Sequence, residues 1–257
     1  MSNAWDPGQY ARFAEERSQP FYDLLALLQP APGGRVVDFG CGTGELTAVL
    51  HERLEAKETV GVDSSTAMLA EAPSAAGLSF RQGDLRDTAG VGPVDVIVAS
   101  ASLHWVPDHA AVLASWAELL GPGGQLAVQV PANVDYPSHT TSAQLATESP
   151  YIEELGGDPP PDPVLSVLRP EQYAVLLNEL GFGEQHVRLQ VYGHLLPTTA
   201  DVVEWVKGTS LTRFKDRMSG QIYDEFVDEY RRRLVGVLGE HSPFFYPFKR
   251  ILFWARR

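Results

Sequence analysis

Four features in the first ninety residues have the types and spacing to hold a nucleoside. Val36-Val37-Asp38-Phe39-Gly40-Cys41-Gly42-Thr43-Gly44 reads as a buried strand running into a glycine-rich turn. Glycines there admit positive φ and let backbone approach a ligand closely. The helix opening at Glu45 offers free N–H groups at its start. Asp63, 19 residues after Gly44, closes a second apolar run, Thr59–Asp63. A carboxylate at that point can accept bonds from both hydroxyls of a ribose. Gly83-Asp84-Leu85 sets another acid at the end of a third short strand, suited to an adenine amino group. Each acid taken singly is as readily a helix cap or turn former; the ordered set points to a ligand.

The spacing also selects among ligands. Dinucleotide enzymes use Gly-x-Gly-x-x-Gly, whose third glycine packs the helix. Here that position is Glu45, and the pattern is Gly-x-Gly-x-Gly. An acid at the helix start repels a pyrophosphate and tolerates a zwitterionic, phosphate-free ligand better. A nicotinamide dehydrogenase is therefore disfavoured.

These residues need elements to position them. Apolar spacing predicts a helix over 8–29, carried by Tyr10, Phe13, Phe21, Leu24, Leu25 and Leu28. Strands are expected at 35–39, 59–63, 78–81, 94–99 and 125–130, with helices at 45–54, 66–72 and 109–120 and a turn at Gly121-Pro122-Gly123-Gly124. Short apolar strands alternating with helices imply a doubly wound, mostly parallel α/β sheet covered on both faces. Residues 131–168 hold seven prolines and read as an inserted lid with one helix around 139–155. A helix at 171–180, a strand at 184–195, two or three helices within 199–238 and a last strand at 248–255 complete the chain. The expected organisation is an N-terminal helical cap (1–30), a cofactor-binding core (31–131), the lid (132–170) and a C-terminal part of the core (171–257) carrying inserted helices at about 197–243.

Length and charge bound the partners. The 257 residues suffice for one large domain with a smaller lobe, and 44% apolar content excludes wholesale disorder. The net charge of −13 argues against nucleic acid, whose binding needs a cationic face. Residues 1–200 hold 9 basic and 25 acidic side chains and residues 201–257 hold 11 and 8, so net charge runs from −16 to +3. An anionic ligand would meet that basic tail, unless its arginines are simply a solvated surface. Cys41 is the single cysteine, no signal peptide or membrane-spanning apolar run is readable, and the seven histidines show no metal-ligand spacing. The expectation is a cytoplasmic monomer, with no metal and no membrane partner.

The segments 37–44 (VDFGCGTG), 60–65 (VGVDSS), 82–85 (QGDL), 94–106 (VDVIVASASLHWV) and 120–128 (LGPGGQLAV) stand in the order found in class I S-adenosylmethionine-dependent methyltransferases, which residues 35–130 resemble. The resemblance implies a seven-stranded Rossmann-like sheet whose last two strands form an antiparallel hairpin. S-adenosyl-L-methionine is the implied cofactor, released as S-adenosyl-L-homocysteine. It would be held by Asp38, Gly40, Gly42, Asp63, Ser64, Met68, Asp84, Leu85 and Ala101. A narrower resemblance, to the trans-aconitate methyltransferases, spans nearly the whole chain. It rests on Trp5-Asp6-Pro7, Tyr10, Phe13, Glu16-Arg17 and Pro20, on 101–109, on 126–131 with Asn133 and Pro137-Ser138-His139, and on 203–209. It implies methyl esterification of one carboxylate of a small polycarboxylic acid. Family members more often carry Gly-Pro-Gly and Gln-Trp where this chain has Gly42-Thr43-Gly44 and His104-Trp105.

A carboxylate nucleophile is already ionised at neutral pH, so no general base is obligatory. A tri-anion bound by an acidic protein does need local cations. Arg213 and Lys207 are the substrate-binding candidates, with His139 and His194 as further donors; Arg17 would hold the methionine carboxylate or pair with a neighbouring glutamate. His104, just past the fourth strand, either orients the substrate or serves as general base for a hydroxyl substrate such as a phenol or quinone, or is structural. Trp105 either lines the pocket or plugs the following helix. A non-catalytic sensor of the same adenosyl ligand is the remaining reading.

Overall fold

The computed structural model describes the backbone from Ala14, and the side chains from Ser18, through Arg257. The expected helix positions before residue 14, Tyr10 and Phe13 among them, and the side chain of Arg17 lie outside these described residues. In chain order the elements are α1 (Ala14–Leu25), β1 (Arg35–Phe39), α2 (Glu45–Arg53), β2 (Glu58–Asp63), α3 (Thr66–Leu69), β3 (Leu78–Gln82), β4 (Val94–Ser100), α4 (His109–Leu119), β5 (Leu120–Pro131), α5 (Pro137–Leu145), α6 (Tyr151–Glu154), α7 (Pro170–Glu179), β6 (Glu184–Leu196), α8 (Asp201–Lys207), α9 (Thr212–Lys215), α10 (Gly220–Leu238) and β7 (Phe244–Arg256).

The seven strands form one sheet in the order β3-β2-β1-β4-β5-β7-β6. β1 pairs in parallel with both β2 and β4, and β5 pairs antiparallel with β7. Val36, Val37, Asp38 and Phe39 are all buried, as expected of a central strand covered on both faces. Strand order reverses between β1 and β4, and doubly wound sheets bind ligands beyond the carboxyl ends of the strands at that reversal. The glycine turn after β1 and Ala101-Ser102 after β4 both lie there.

Three local expectations change. The Gly121–Gly124 stretch is an irregularity within β5 rather than a turn before it: Val94 pairs with Leu120, and the next rung is Val96 with Gln125. The helix expected around 139–155 divides into α5 and α6, because Pro150 has no N–H to continue a helical ladder. The last strand begins at Phe244 rather than 248; Phe244, Tyr246 and Phe248 alternate inward across Pro247. No helix among the described residues is long and apolar enough to cross a membrane.

The chain divides into two compact units. One contains residues 17–131, 166–190 and 250–257, hence the parallel strands. The other contains residues 132–165 and 191–249 and is mainly helical. Its core is aromatic: Trp205, Phe214, Phe226, Tyr230 and Tyr246 are buried along α8, α9, α10 and the start of β7. The long helix α10 turns Tyr223, Phe226, Val227, Tyr230 and Leu234 inward, a three-to-four-residue repeat that makes one apolar face.

Candidate active site

In the sheet unit the glycine turn is built by its own backbone. The N–H groups of Gly40 and Cys41 both donate to the carbonyl of Val62, tying the turn to the end of β2. Gly40 lies at φ +79°, and a Cβ there would stand 2.1 Å from Ser102 Cβ. Ser102 in turn donates its hydroxyl to the Phe39 carbonyl at 2.6 Å. The ends of β1 and β4 are thus pressed together with no room for a side chain. Gly42 differs: it lies at φ +57°, and a Cβ there would meet nothing within 4 Å. Its constraint is conformational, and the space above it is open to a ligand.

Asp63 braces this turn. One oxygen accepts from the Gly42 N–H and the other from the Ser65 N–H, both at 2.9 Å. A carboxylate has about four lone-pair sites, so acceptor capacity remains for hydroxyls after both backbone bonds. Ser64 lies between them; its carbonyl accepts from the Gln82 side chain. Met68 is buried in α3, whose first turn is capped by Ser65.

Asp38 is 3% exposed and accepts from Thr47 Oγ1 at 2.6 Å. Its other oxygen, Oδ1, is buried without a hydrogen-bond partner among the described residues. Burial raises its carboxyl to about 6, against the lowering bond from Thr47. A buried acceptor lacking a donor is costly, and a cationic or N–H group of a ligand beside this turn would satisfy it. The glycine cradle, the capacity of Asp63 and the orphaned Asp38 oxygen fit an adenosyl amino acid.

At the end of β3, Asp84 is gripped by Arg86: Nε donates to Oδ1 at 2.8 Å and Nη2 to Oδ2 at 2.6 Å. This bond holds the carboxyl below its usual range. Arg86 is not among the residues the sequence singled out; its spacing of two from Asp84 is the available signal. The carbonyl of Leu85 accepts from Trp116 Nε1 at 2.9 Å, and Trp116 stacks on Phe39 with centroids 4.8 Å apart. The loop expected to meet adenine is therefore anchored on the core. Ala101 lies at φ +54°, a left-handed conformation that costs an alanine roughly 1–2 kcal/mol, and its N–H donates to Gln129 O. Such strain clusters at ligand sites. His104 is buried and Trp105 half-buried, with ring centroids 4.9 Å apart.

The helical unit holds a second cluster. Arg213, Asp162 and His139 have side chains only 4–6% exposed. Asp162 Oδ2 accepts from His139 Nδ1 at 2.9 Å and pairs with Arg213 Nη1, while Oδ1 takes the Val164 N–H. Burial alone would raise the Asp162 carboxyl; the bond and charge of His139, then Arg213, outweigh it and hold it well below the carboxylate range. Arg213 also lies over the Phe214 ring at 4.5 Å, and its Nε has no hydrogen-bond partner among the described residues. Asp162, in the proline-rich stretch, gave no sequence signal.

The other two substrate candidates sit differently. Lys207 is 3.6 Å from Glu204, which also takes Arg231. His194 is buried against the rings of Trp205 and Phe248. Much of the basic tail is internally matched as well: Arg232 and Arg233 pair with Glu229, Arg233 also with Glu148, and Arg256 with Glu184.

A parallel sheet reversing between β1 and β4, a glycine cradle and an antiparallel β7 define a class I methyltransferase, and the family described as "Methyltransferase domain" matches residues 10–186. The fold is shared with the YcgJ protein from Bacillus subtilis, at TM-score 0.58, with 16% identity over 92% of this chain and 98% of that one. A protein of Deinococcus radiodurans named trans-aconitate 2-methyltransferase is 41% identical over 98% of both chains. One of the same name from Streptomyces coelicolor is 39% identical over 98% of this chain and 86% of its own. The chain belongs to the trans-aconitate 2-methyltransferase family.

Proposed function

We propose that this enzyme transfers the methyl group of S-adenosylmethionine to one carboxylate of trans-aconitate. What supports the substrate most is the near-full-length identity to relatives bearing that name. What supports the cofactor is the site at the end of β1, where Asp63 braces a glycine cradle and keeps acceptor capacity. S-adenosylmethionine supplies, when bound, a methyl group on a sulfonium, open to in-line displacement.

The chain's own part is binding and alignment. Gly40 and Gly42 let the backbone approach the cofactor, Asp63 takes its ribose hydroxyls and Asp38 Oδ1 its ammonium. Asp84, Leu85, Ser64 and Met68 border the adenine, and Ala101 lies beside the methionine portion. Arg213 and His139 receive substrate carboxylates; Lys207 and His194 are further donors. His104 and Trp105 position the acceptor and exclude water. Alignment of an already ionised nucleophile, stripped of its hydration, is the source of rate. Residue Arg17 is proposed to hold the methionine carboxylate.

Two measurements test this. Incubation with labelled cofactor and a panel of polycarboxylates, followed by mass identification, should find a monomethyl ester of trans-aconitate. The rate at saturating cofactor should be flat between about pH 6 and 8, since a carboxylate nucleophile needs no base. A steep rise through that window, lost in His104→Ala, would instead favour a hydroxyl substrate, the reading that the burial of His104 beside Trp105 keeps open. For the cofactor, Asp63→Ala removes the acceptor of two N–H groups and of the ribose. Charged hydrogen bonds contribute about 1.5–3 kcal/mol each, so calorimetry should find S-adenosylhomocysteine bound roughly 10- to 100-fold more weakly. Unchanged affinity would remove Asp63 from the site.

A further inference from the structure

In the helical unit, Asp162 decides where the proton of a buried histidine sits. Its carboxylate takes three donors: the Val164 N–H on Oδ1, and His139 Nδ1 and Arg213 Nη1 on Oδ2. Those partners keep it ionised. An ionised carboxylate only accepts hydrogen bonds. His139 Nδ1 therefore carries a hydrogen whether the ring is neutral or charged. In the neutral ring Nε2 is then a bare lone pair. Nε2 has no hydrogen-bond partner among the described residues, and His139 is 5% exposed. A neutral ring fixed in this way turns a lone pair toward an incoming carboxylate and repels it.

The charges nearby do not supply what the ring lacks. Among the described residues they form matched pairs. Asp162 offsets Arg213. Asp135, just before α5 and within reach of the His139 charge, is offset by Lys249 of β7, whose Nζ donates to both of its oxygens. From α10 the Tyr230 hydroxyl donates to the Ser138 carbonyl, and from β7 the Tyr246 hydroxyl meets Ser138 Oγ at 3.1 Å. Phenols are uncharged near neutral pH. The cluster is thus neutral overall with an imidazole at 139 and carries one positive charge with an imidazolium.

We propose that Asp162 is a positioning residue that pins one proton on His139 Nδ1, so that a carboxylate of trans-aconitate is received at Nε2 only together with a second proton. This rests on the trans-aconitate reading above and adds a proton to the binding step. The proton comes from solvent and joins Nε2. The new N–H donates to the substrate carboxylate while Asp162 stabilises the imidazolium from its other side. Linkage makes the effect reciprocal: the anion raises the affinity for the proton by the factor that the proton raises the affinity for the anion. Arg213 Nε, buried and without a hydrogen-bond partner among the described residues, is a second donor in the same cluster.

The test titrates protein loaded with S-adenosylhomocysteine with trans-aconitate, in two buffers of very different ionisation heat. The difference in heat counts the protons taken up. Histidine changes charge across this range, so wild type should take up at least about half a proton at about pH 8.5 and less at about pH 6. KM should rise at least about threefold between those two values, while kcat at saturating trans-aconitate stays level, because the proton serves binding and not transfer. His139→Gln cannot take a charge and should show no uptake and a level KM. Asp162→Asn keeps the shape and frees the ring to carry its single proton on Nε2, so it should bind trans-aconitate without uptake. An aspartate that only braced the loop would lower stability and affinity and leave the proton count unchanged. Undiminished uptake in folded Asp162→Asn therefore overturns its role. Should that variant not fold, wild-type uptake in His139→Gln overturns the proposal, as does wild type that binds trans-aconitate with no uptake at either pH. Uptake on binding without methylation refutes the activity alone, and methylation without uptake refutes this inference alone. Wild type that neither binds nor methylates trans-aconitate refutes both.

Discussion

Asp162→Ala is expected to lower the melting temperature at neutral pH by roughly 10 °C, the largest stability loss of any single substitution considered. Asp162 is the counter-charge of Arg213, and the two side chains are 4% and 6% exposed. Removing one partner of a buried pair leaves the other charge uncompensated, which costs about 3–5 kcal/mol. A chain of this size loses about 2–4 °C per kcal/mol. Asp162 also accepts from His139 and from the Val164 N–H, so the loop at 162–164 loosens with it. The pH dependence has a definite sign. A carboxyl held below its ordinary value contributes stability that is complete above the unfolded value, near 3.9, and is lost as pH falls toward the folded one. The difference in melting temperature between wild type and Asp162→Ala should therefore be full at pH 7 and shrink below about pH 4. Adding Arg213→Met should recover part of the loss, because it removes the stranded charge. Thermal melts of wild type, the two single variants Asp162→Ala and Arg213→Met, and the double variant at pH 7 check this; additive losses would mean that the pair is not coupled.

Gly40→Ala is expected to reduce affinity for S-adenosylhomocysteine at least 100-fold. Two costs combine. An alanine at φ +79° is strained by roughly 1–2 kcal/mol. Its Cβ would also fall 2.1 Å from Ser102 Cβ, and Ser102 is held by its bond to the Phe39 carbonyl. Relief requires the ends of β1 and β4 to separate, which displaces Ala101 and the turn braced by Asp63. Gly40→Ala with Ser102→Gly removes the overlapping atoms and leaves the φ strain alone, so it should regain most of the lost affinity. Gly42→Ala is the control. It meets no atom of the protein within 4 Å but lies at φ +57°, so it should carry roughly 1–2 kcal/mol of φ strain and a melting temperature a few degrees lower, with no steric displacement of Ser102. Calorimetric titration of the three variants gives the answer. Affinity retained in Gly40→Ala would show that this contact does not shape the cofactor cradle.

The glycine turn and its two acids, the proposed cofactor half of the site, were legible because their signals are local. A β-branched run into Gly-x-Gly-x-Gly, with an acid ending each of the next two strands, specifies turn conformation and acceptor placement within a few residues. Parallel strands buried on both faces also announce themselves as continuous apolar runs, so the sheet could be read in advance. Where strands pair out of sequence, local pattern is silent. The bulging of Gly121–Gly124 inside β5 follows from the rung between Val94 and Leu120, and the early start of β7 follows from inward packing across Pro247.

The amino-acid sequence by itself determined the doubly wound class, the glycine cradle, its two acids and the abundance of cations late in the chain. Only the tertiary structure decided which of those cations are buried and which lie on the surface. Burial and counter-charge are set by residues distant along the chain: Asp162 is 51 positions from Arg213. Charge counts along a sequence treat every arginine alike, whereas folding matches Arg232 and Arg233 to surface glutamates and buries Arg213 beside an aspartate. The free energy of a charge depends on its dielectric surroundings and nearest partner, and those exist only once the chain has folded.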